Sequence, residues 1–191
     1  MSTDMNLEKK KSHPYQFYLW GGLGSIVMMF AGLTSAYIVK KSQANWLDFD
    51  LPNIFLVSTG VILLSSFTMQ MAVKKQKEQN TNQYRGFLSV TTILGVLFMI
   101  LQVQGFMQLE ASSIALTGAR SNSAASFLFV ITGLHLLHVL GGVISLLFVN
   151  IKAASSKTDI KNDMPVKLLS NYWHFVDILW VYLFVFLHWA G

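Results

Sequence analysis

The chain has 191 residues, 53% hydrophobic and 12% charged, with a net charge of +5 and no cysteine. A soluble domain carries about twice that share of charge, so no sizeable soluble domain is expected. The missing cysteines exclude disulfides, thiolate metal sites and iron–sulfur clusters, and the positive charge lies in short runs between apolar stretches, the pattern of membrane topology signals, so no nucleic-acid partner is expected.

In chain order, residues 1–16 are polar and are expected to form a cytoplasmic N-terminal tail on the membrane surface. The first apolar run, 17–39, has 23 residues. At about 1.5 Å per residue it crosses a hydrocarbon core of about 30 Å. It is too long for a signal-peptide apolar region and is not followed by a small-residue cleavage site, so it is expected to stay as a span. Its glycine-rich start, Gly21 to Gly24, follows no strand and lies inside the apolar run, which argues for helix packing and against a phosphate cradle. Gly21 and Ser25, and Gly32 and Ala36, are each four apart and are expected to let a neighbouring helix approach closely.

Pro52 suits the first turn of a second span, about 51–73. The most polar stretch, Lys74–Gln83, is expected to be a cytoplasmic loop. A third span, about 86–109, holds Gln102, Gln104 and Gln108, whose amides are expected to bond between helices, with Glu110 at its outer end. Residues 119–123 offer helix-capping side chains before a fourth span, about 123–151, where Gly133, Gly141 and Gly142 are further packing candidates. The connection 153–166 leads to a fifth span, about 168–190. The expected architecture is an all-α polytopic membrane protein, a bundle of five transmembrane helices filling 17–191. No internal repeat is present, so an inverted-repeat transporter is not supported.

Lysine and arginine are divided unequally between the two sides. The N-terminal side has eleven: Lys9 to Lys11, Lys74, Lys75, Lys77, Arg85, Lys152, Lys157, Lys161 and Lys167. The other side has Lys40, Lys41 and Arg120. The positive-inside rule therefore places the N-terminus in the cytoplasm and the C-terminus outside.

The chemistry-bearing residues gather in the last two spans. His135 and His138 are one turn apart on the fourth, as are His174 and Asp177 on the fifth, and His188, fourteen residues after His174, returns near the same face. One reading is a haem held by a histidine from each helix. The other, which is preferred, is a polar clamp: His135, His138, His174 and Asp177 pair across the contact between the two helices, because a polar group at mid-membrane faces protein and needs a partner. A hydrolytic metal site is disfavoured, since no His-Glu-x-x-His occurs.

These same stretches carry a family resemblance. YWHFVDILWVYLFVFLHWAG (172–191) resembles the last helix of cytochrome c oxidase subunit III, and TGLHLLHVLGG (132–142) resembles that family's penultimate helix. SIVMMFAGLTSAY (25–37), SSFTMQMA (65–72) and LGVLFMILQ (94–102) resemble the preceding three, in order. The likeness is to a five-helix form. His135, His138, Tyr172, Trp173, His174, Asp177 and Trp180 match, whereas Ile26 and Gly105 stand where the family usually has acids. The resemblance implies a chain with no active site, haem or metal of its own. Haem and copper would sit in partner subunits I and II, with phospholipid bound and a larger respiratory supercomplex as a further assembly. It would support oxygen reduction coupled to proton pumping in a bacterial plasma membrane. The alternatives are the corresponding partner of a nitric oxide reductase, a small haem-bearing electron carrier, or an independent transporter.

Overall fold

A computed structural model describes residues 2–41, 52–111, 123–154 and 164–190, with side chains from Gln16 onward. It contains five helices: α1 Ser2–Lys41, α2 Ile54–Lys77, α3 Thr81–Ala111, α4 Ser123–Ala154 and α5 Met164–Ala190. Each includes a stretch long and apolar enough to cross a membrane, from Gln16–Lys41 in α1 to Met164–Trp189 in α5. Helices suit this setting because lipid offers no partner to a backbone N–H or C=O, and a helix satisfies both within itself.

Several boundaries lie further out than the apolar runs suggest. α1 runs unbroken from Ser2, so residues 2–16, expected as an N-terminal tail, are helical and continuous with the first span. The expected loop 74–83 is mostly helix, and only residues 78–80 lie outside α2 and α3. Lysine and glutamine are good helix formers, and their stems lie along apolar surface while their heads reach water, so polarity alone does not end a helix at the headgroups. Pro165 falls in the first turn of α5, where its missing N–H costs nothing. Pro52 precedes α2, its carbonyl accepting the N–H of Phe55 at 3.0 Å. The expected capping residues 119–122 lie outside the described residues.

The α2–α3 turn closes tightly. Gln79 N–H bonds to the Gln76 carbonyl at 3.0 Å and Asn80 N–H to the Lys75 carbonyl at 3.1 Å. This is a Schellman motif that satisfies the last carbonyls of α2. It requires a left-handed residue, and Gln79 supplies it with φ 58°. The Asn80 side chain then accepts the Gln83 N–H at 3.3 Å, capping α3.

Helices α2, α3, α4 and α5 form a closed ring in which each touches the next, and α1 lies outside it against α4 and α5. The ring interior is filled by large side chains: Trp173, Trp180, Phe55, Phe98, Ile62, Met69 and Leu88 are all essentially buried. Glycine serves contact at three places. A Cβ on Gly95 or Gly142 would come within 2.8 Å of the Trp173 ring, and one on Gly105 within 2.8 Å of Phe55. Trp173 is therefore clasped between α3 and α4. Gly105 is filled over by Phe55, which leaves no room for a side chain pointing inward.

The small residues of α1 do not pack as expected. Gly21, Ser25, Gly32 and Ala36 are exposed, and a Cβ on Gly21 or Gly32 would meet nothing within 4 Å. The inward face of α1 is Leu23, Phe30, Thr34 and Tyr37. Both stripes are compatible with lipid, so hydropathy could not tell the inner from the outer. Gly133 and Gly141 are likewise without a close neighbour.

Candidate functional site

The site is built around α5, which makes hydrogen bonds to three neighbours. Toward α2, Trp173 Nε1 donates to Ser65 Oγ at 3.0 Å, and Trp180 Nε1 to Thr59 Oγ1 at 3.0 Å. Ser66 Oγ and His174 Nδ1 are 2.6 Å apart. Toward α4, the Tyr172 hydroxyl donates to the His138 carbonyl at 3.0 Å. Toward α1, the hydroxyls of Tyr182 and Thr34 are 3.3 Å apart. Helix packing in lipid lacks a hydrophobic drive, so such bonds and close fit carry the association.

The α2 hydroxyls are satisfied on both sides. Ser58 donates to the Phe55 carbonyl at 2.9 Å and accepts Gln102 Nε2 from α3 at 2.8 Å. Thr59 donates to the same carbonyl at 2.7 Å while accepting Trp180. Ser58 with Ser65, and Thr59 with Ser66, are seven residues apart, so each pair shares one face of α2. That spacing was available in the sequence and could have singled these residues out. The α3–α4 contact has its own polar pair, with Asn150 Nδ2 donating to Ser89 Oγ at 3.0 Å. Thr68 and Thr91 join α2 to α3, their hydroxyls 2.9 Å apart.

The four residues expected to form one clamp do not bond to one another. His174 turns to Ser66 on α2 instead of to α4. His138 Nδ1 lies 2.7 Å from the Leu134 carbonyl of its own helix, and because a carbonyl only accepts, that nitrogen carries the hydrogen. His135 is fully buried in an aromatic box: its ring centroid is 5.1 Å from Trp180, 6.1 Å from Phe98 and 6.4 Å from Phe30, and neither ring nitrogen has a hydrogen-bond partner. Asp177 is 2% exposed and neither carboxyl oxygen has a partner. The Ser66 hydroxyl stands beside it, outside hydrogen-bonding geometry. The physical reason is rotational: α5 directs His174 toward the α2 hydroxyls, while tryptophans occupy its α4 face.

That packing also bears on the two-helix haem arrangement. Trp173 lies against Gly142, and Trp180 against His135, so rings already fill the α4–α5 contact. His188 does not continue the stripe inward. It is exposed and stacks on Phe184, with centroids 6.1 Å apart. Gln102 is buried and bonded between helices as expected, whereas Gln104 and Glu110 face outward. Among the described residues no three of His, Asp and Glu are grouped to hold a metal ion.

Comparison with known proteins gives a consistent result. The sequence model of the family described as cytochrome c oxidase subunit III matches residues 45–191. The chain is 34% identical over 170 residues to the probable cytochrome c oxidase subunit 3 of Nocardia farcinica, covering 85% of this chain and 81% of that one. It is 32% identical over 172 residues to the probable cytochrome c oxidase subunit 3 of Mycobacterium bovis, covering 87% and 83%. It is 30% identical over 182 residues to the cytochrome bo(3) ubiquinol oxidase subunit 3 of Buchnera aphidicola, covering 92% and 86%.

Proposed function

The chain belongs to the cytochrome c oxidase subunit III family, and from that premise we propose that it is the third, redox-inactive subunit of a respiratory haem-copper oxidase. It packs on the haem-bearing subunit I, with subunit II completing the core, and supports oxygen reduction coupled to proton pumping. Haem and copper reside in those partners. The observation that carries this reading is the family match over residues 45–191, which takes in the whole of α5 and its bonds to α2 and α4.

On this reading Tyr172, Trp173, His174 and Trp180 bond α5 to its neighbours, His135 packs among aromatic rings in the α4–α5 contact, and none of these residues, nor His138 or Asp177, performs catalysis. The N-terminus faces the cytoplasm, since the lysine-rich ends of α2, α4 and α5 lie on its side of a bacterial plasma membrane. An open groove of about 680 Å³ between α1, α4 and α5, lined by Leu19, Ile144, Phe148, Leu168 and Tyr172 among others, suits the acyl chains of a bound phospholipid.

Affinity purification of the tagged chain from native membranes tests the proposal. A subunit inventory by mass spectrometry is expected to return a haem-copper subunit I, and the complex is expected to consume oxygen. Relatives include both cytochrome c oxidase and ubiquinol oxidase subunits, so oxygen uptake with cytochrome c against quinol fixes the donor. A complex that reduces nitric oxide and not oxygen would overturn the assignment. So would a histidine-dependent Soret band in the isolated chain.

A further inference from the structure

Asp177 is left over by the structural account. It is a buried acid in the middle of a span, and neither of its oxygens is bonded. The helices packed against α5 bring it no fixed cation among the described residues. α2 offers the hydroxyls of Ser65, Ser66 and Thr59, the first and last already accepting tryptophan N–H groups. α4 offers His135, enclosed by aromatic rings, and His138, whose Nδ1 hydrogen is committed to Leu134. α1 offers the hydroxyl of Thr34, paired with Tyr182. An ionised carboxylate with neither donor nor counter-charge is far costlier in such surroundings than the neutral acid.

One polar route leads to it. Ser66 Oγ lies beside the carboxyl and 2.6 Å from His174 Nδ1, and His174 is only half-buried. Toward the lysine-bearing end the route continues on both helices, through Gln70 one turn beyond Ser66 and Asn171 one turn before His174, both exposed. Asp177 is ten residues beyond Lys167, or about 15 Å along the helix, roughly half the hydrocarbon thickness. Past Asp177 come Ile178 and Leu179, and the next polar groups are already committed, Trp180 Nε1 to Thr59 on α2 and the Tyr182 hydroxyl to Thr34 on α1, so no free hydroxyl or imidazole carries the route further on α5.

We propose that Asp177 is a one-sided proton-binding site, occupied at neutral pH and exchanging through Ser66 and His174 with the lysine-bearing face. In the release step the Ser66 side chain first moves into hydrogen-bonding geometry with the carboxyl; the Asp177 O–H bond then breaks and its proton passes to Ser66 Oγ. The hydrogen Ser66 already carried moves to His174 Nδ1, and the imidazole gives up its Nε2 hydrogen to the aqueous side. Ser66 ends unchanged, His174 ends neutral in its other tautomer, and Asp177 is left as a carboxylate until the reverse sequence reloads it. This goes beyond the subunit III reading and does not depend on it, because proton occupancy is read without enzymatic activity.

Infrared spectroscopy of the intact, membrane-embedded protein tests it. A carboxylic-acid carbonyl band is expected at neutral pH, shifted by ¹³C labelling of aspartate and by deuterium, and absent in Asp177→Asn. Ser66→Ala is expected to leave the band in place and slow its deuterium exchange by about a hundredfold or more, the scale of one positioned proton-transfer group; Ser66→Thr, which keeps the hydroxyl, is expected to restore the rate. An ionised aspartate in place of the acid band would overturn the proposal. Exchange unchanged in Ser66→Ala would overturn it too. The ¹³C label decides occupancy in the unaltered protein even if Asp177→Asn fails to assemble.

Discussion

Trp173 makes two kinds of contact at once. Its indole nitrogen reaches Ser65 on α2, while its six-membered ring lies where a Cβ on Gly95 of α3 or Gly142 of α4 would otherwise be. One side chain therefore joins α5 to all three other members of the ring. Replacing Gly142 by leucine or Gly95 by valine must displace a rigid indole, and overpacking of this kind costs about 1–3 kcal/mol. A lower thermal midpoint in detergent is the expected result for both. Gly32→Ala is expected to leave that midpoint unchanged, since nothing in the chain stands within 4 Å of the added methyl. The Trp173–Ser65 bond is expected to contribute less: a double-mutant cycle with Trp173→Phe and Ser65→Ala should give a coupling of about 0.6 kcal/mol, the average for interhelical bonds in lipid. Asp177→Asn is expected to retain more subunit in purified complex than Asp177→Leu, because the amide keeps the shape and polarity of a neutral acid.

The elements were legible where composition alone decides them. The apolar runs gave five helices in the right places, because a span must be both long and uncharged. Their ends were not legible, because lysine and glutamine continue a helix into the headgroups and Gln79 turns the chain without the glycine that usually marks such a corner. Gln79→Gly is expected to stabilise the α2–α3 turn by about 1 kcal/mol, the cost of holding a side chain in left-handed backbone, read as protection of the turn amides in hydrogen exchange. Beside it, Lys75 Nζ bonds Glu78 at 2.7 Å, and that bond holds the glutamate below its ordinary 4.5. Its contribution is present above pH 4.5 and is lost as pH falls through the lowered folded value. Glu78→Gln should therefore flatten the acid limb of turn protection while changing little at low pH. The polar residues of the site were legible as a set but not in their pairing. Spacing places His174 and Asp177 on one face of α5, yet which neighbour that face meets depends on how the helix is rotated. The α2 hydroxyls that meet it look, in sequence, like ordinary serines and threonines of an apolar run.

At the scale of the molecule, the ring of α2 to α5 and the peripheral α1 differ in how they are held. The ring closes on itself through Trp173, Trp180, Gln102 and the α3–α4 pair of Ser89 and Asn150. α1 has the Thr34–Tyr182 bond and the ring contacts of Phe30 and Tyr37. Reporter fusions at the two termini should place the N-terminus in the cytoplasm and the C-terminus outside, and substituting the α2–α3 lysines with glutamine should weaken that bias.

The peripheral seat of α1 has a consequence for biogenesis. α1 leaves the ribosome ahead of α2 to α5, yet among the described residues it docks on α4 and α5 and touches neither α2 nor α3. Roughly eighty residues separate the end of α1 from the start of α4, and at about 5–20 residues per second α1 waits on the order of ten seconds in the bilayer without a mate. Nascent chains arrested after α3 should for that reason be the ones that insertion chaperones and membrane proteases capture.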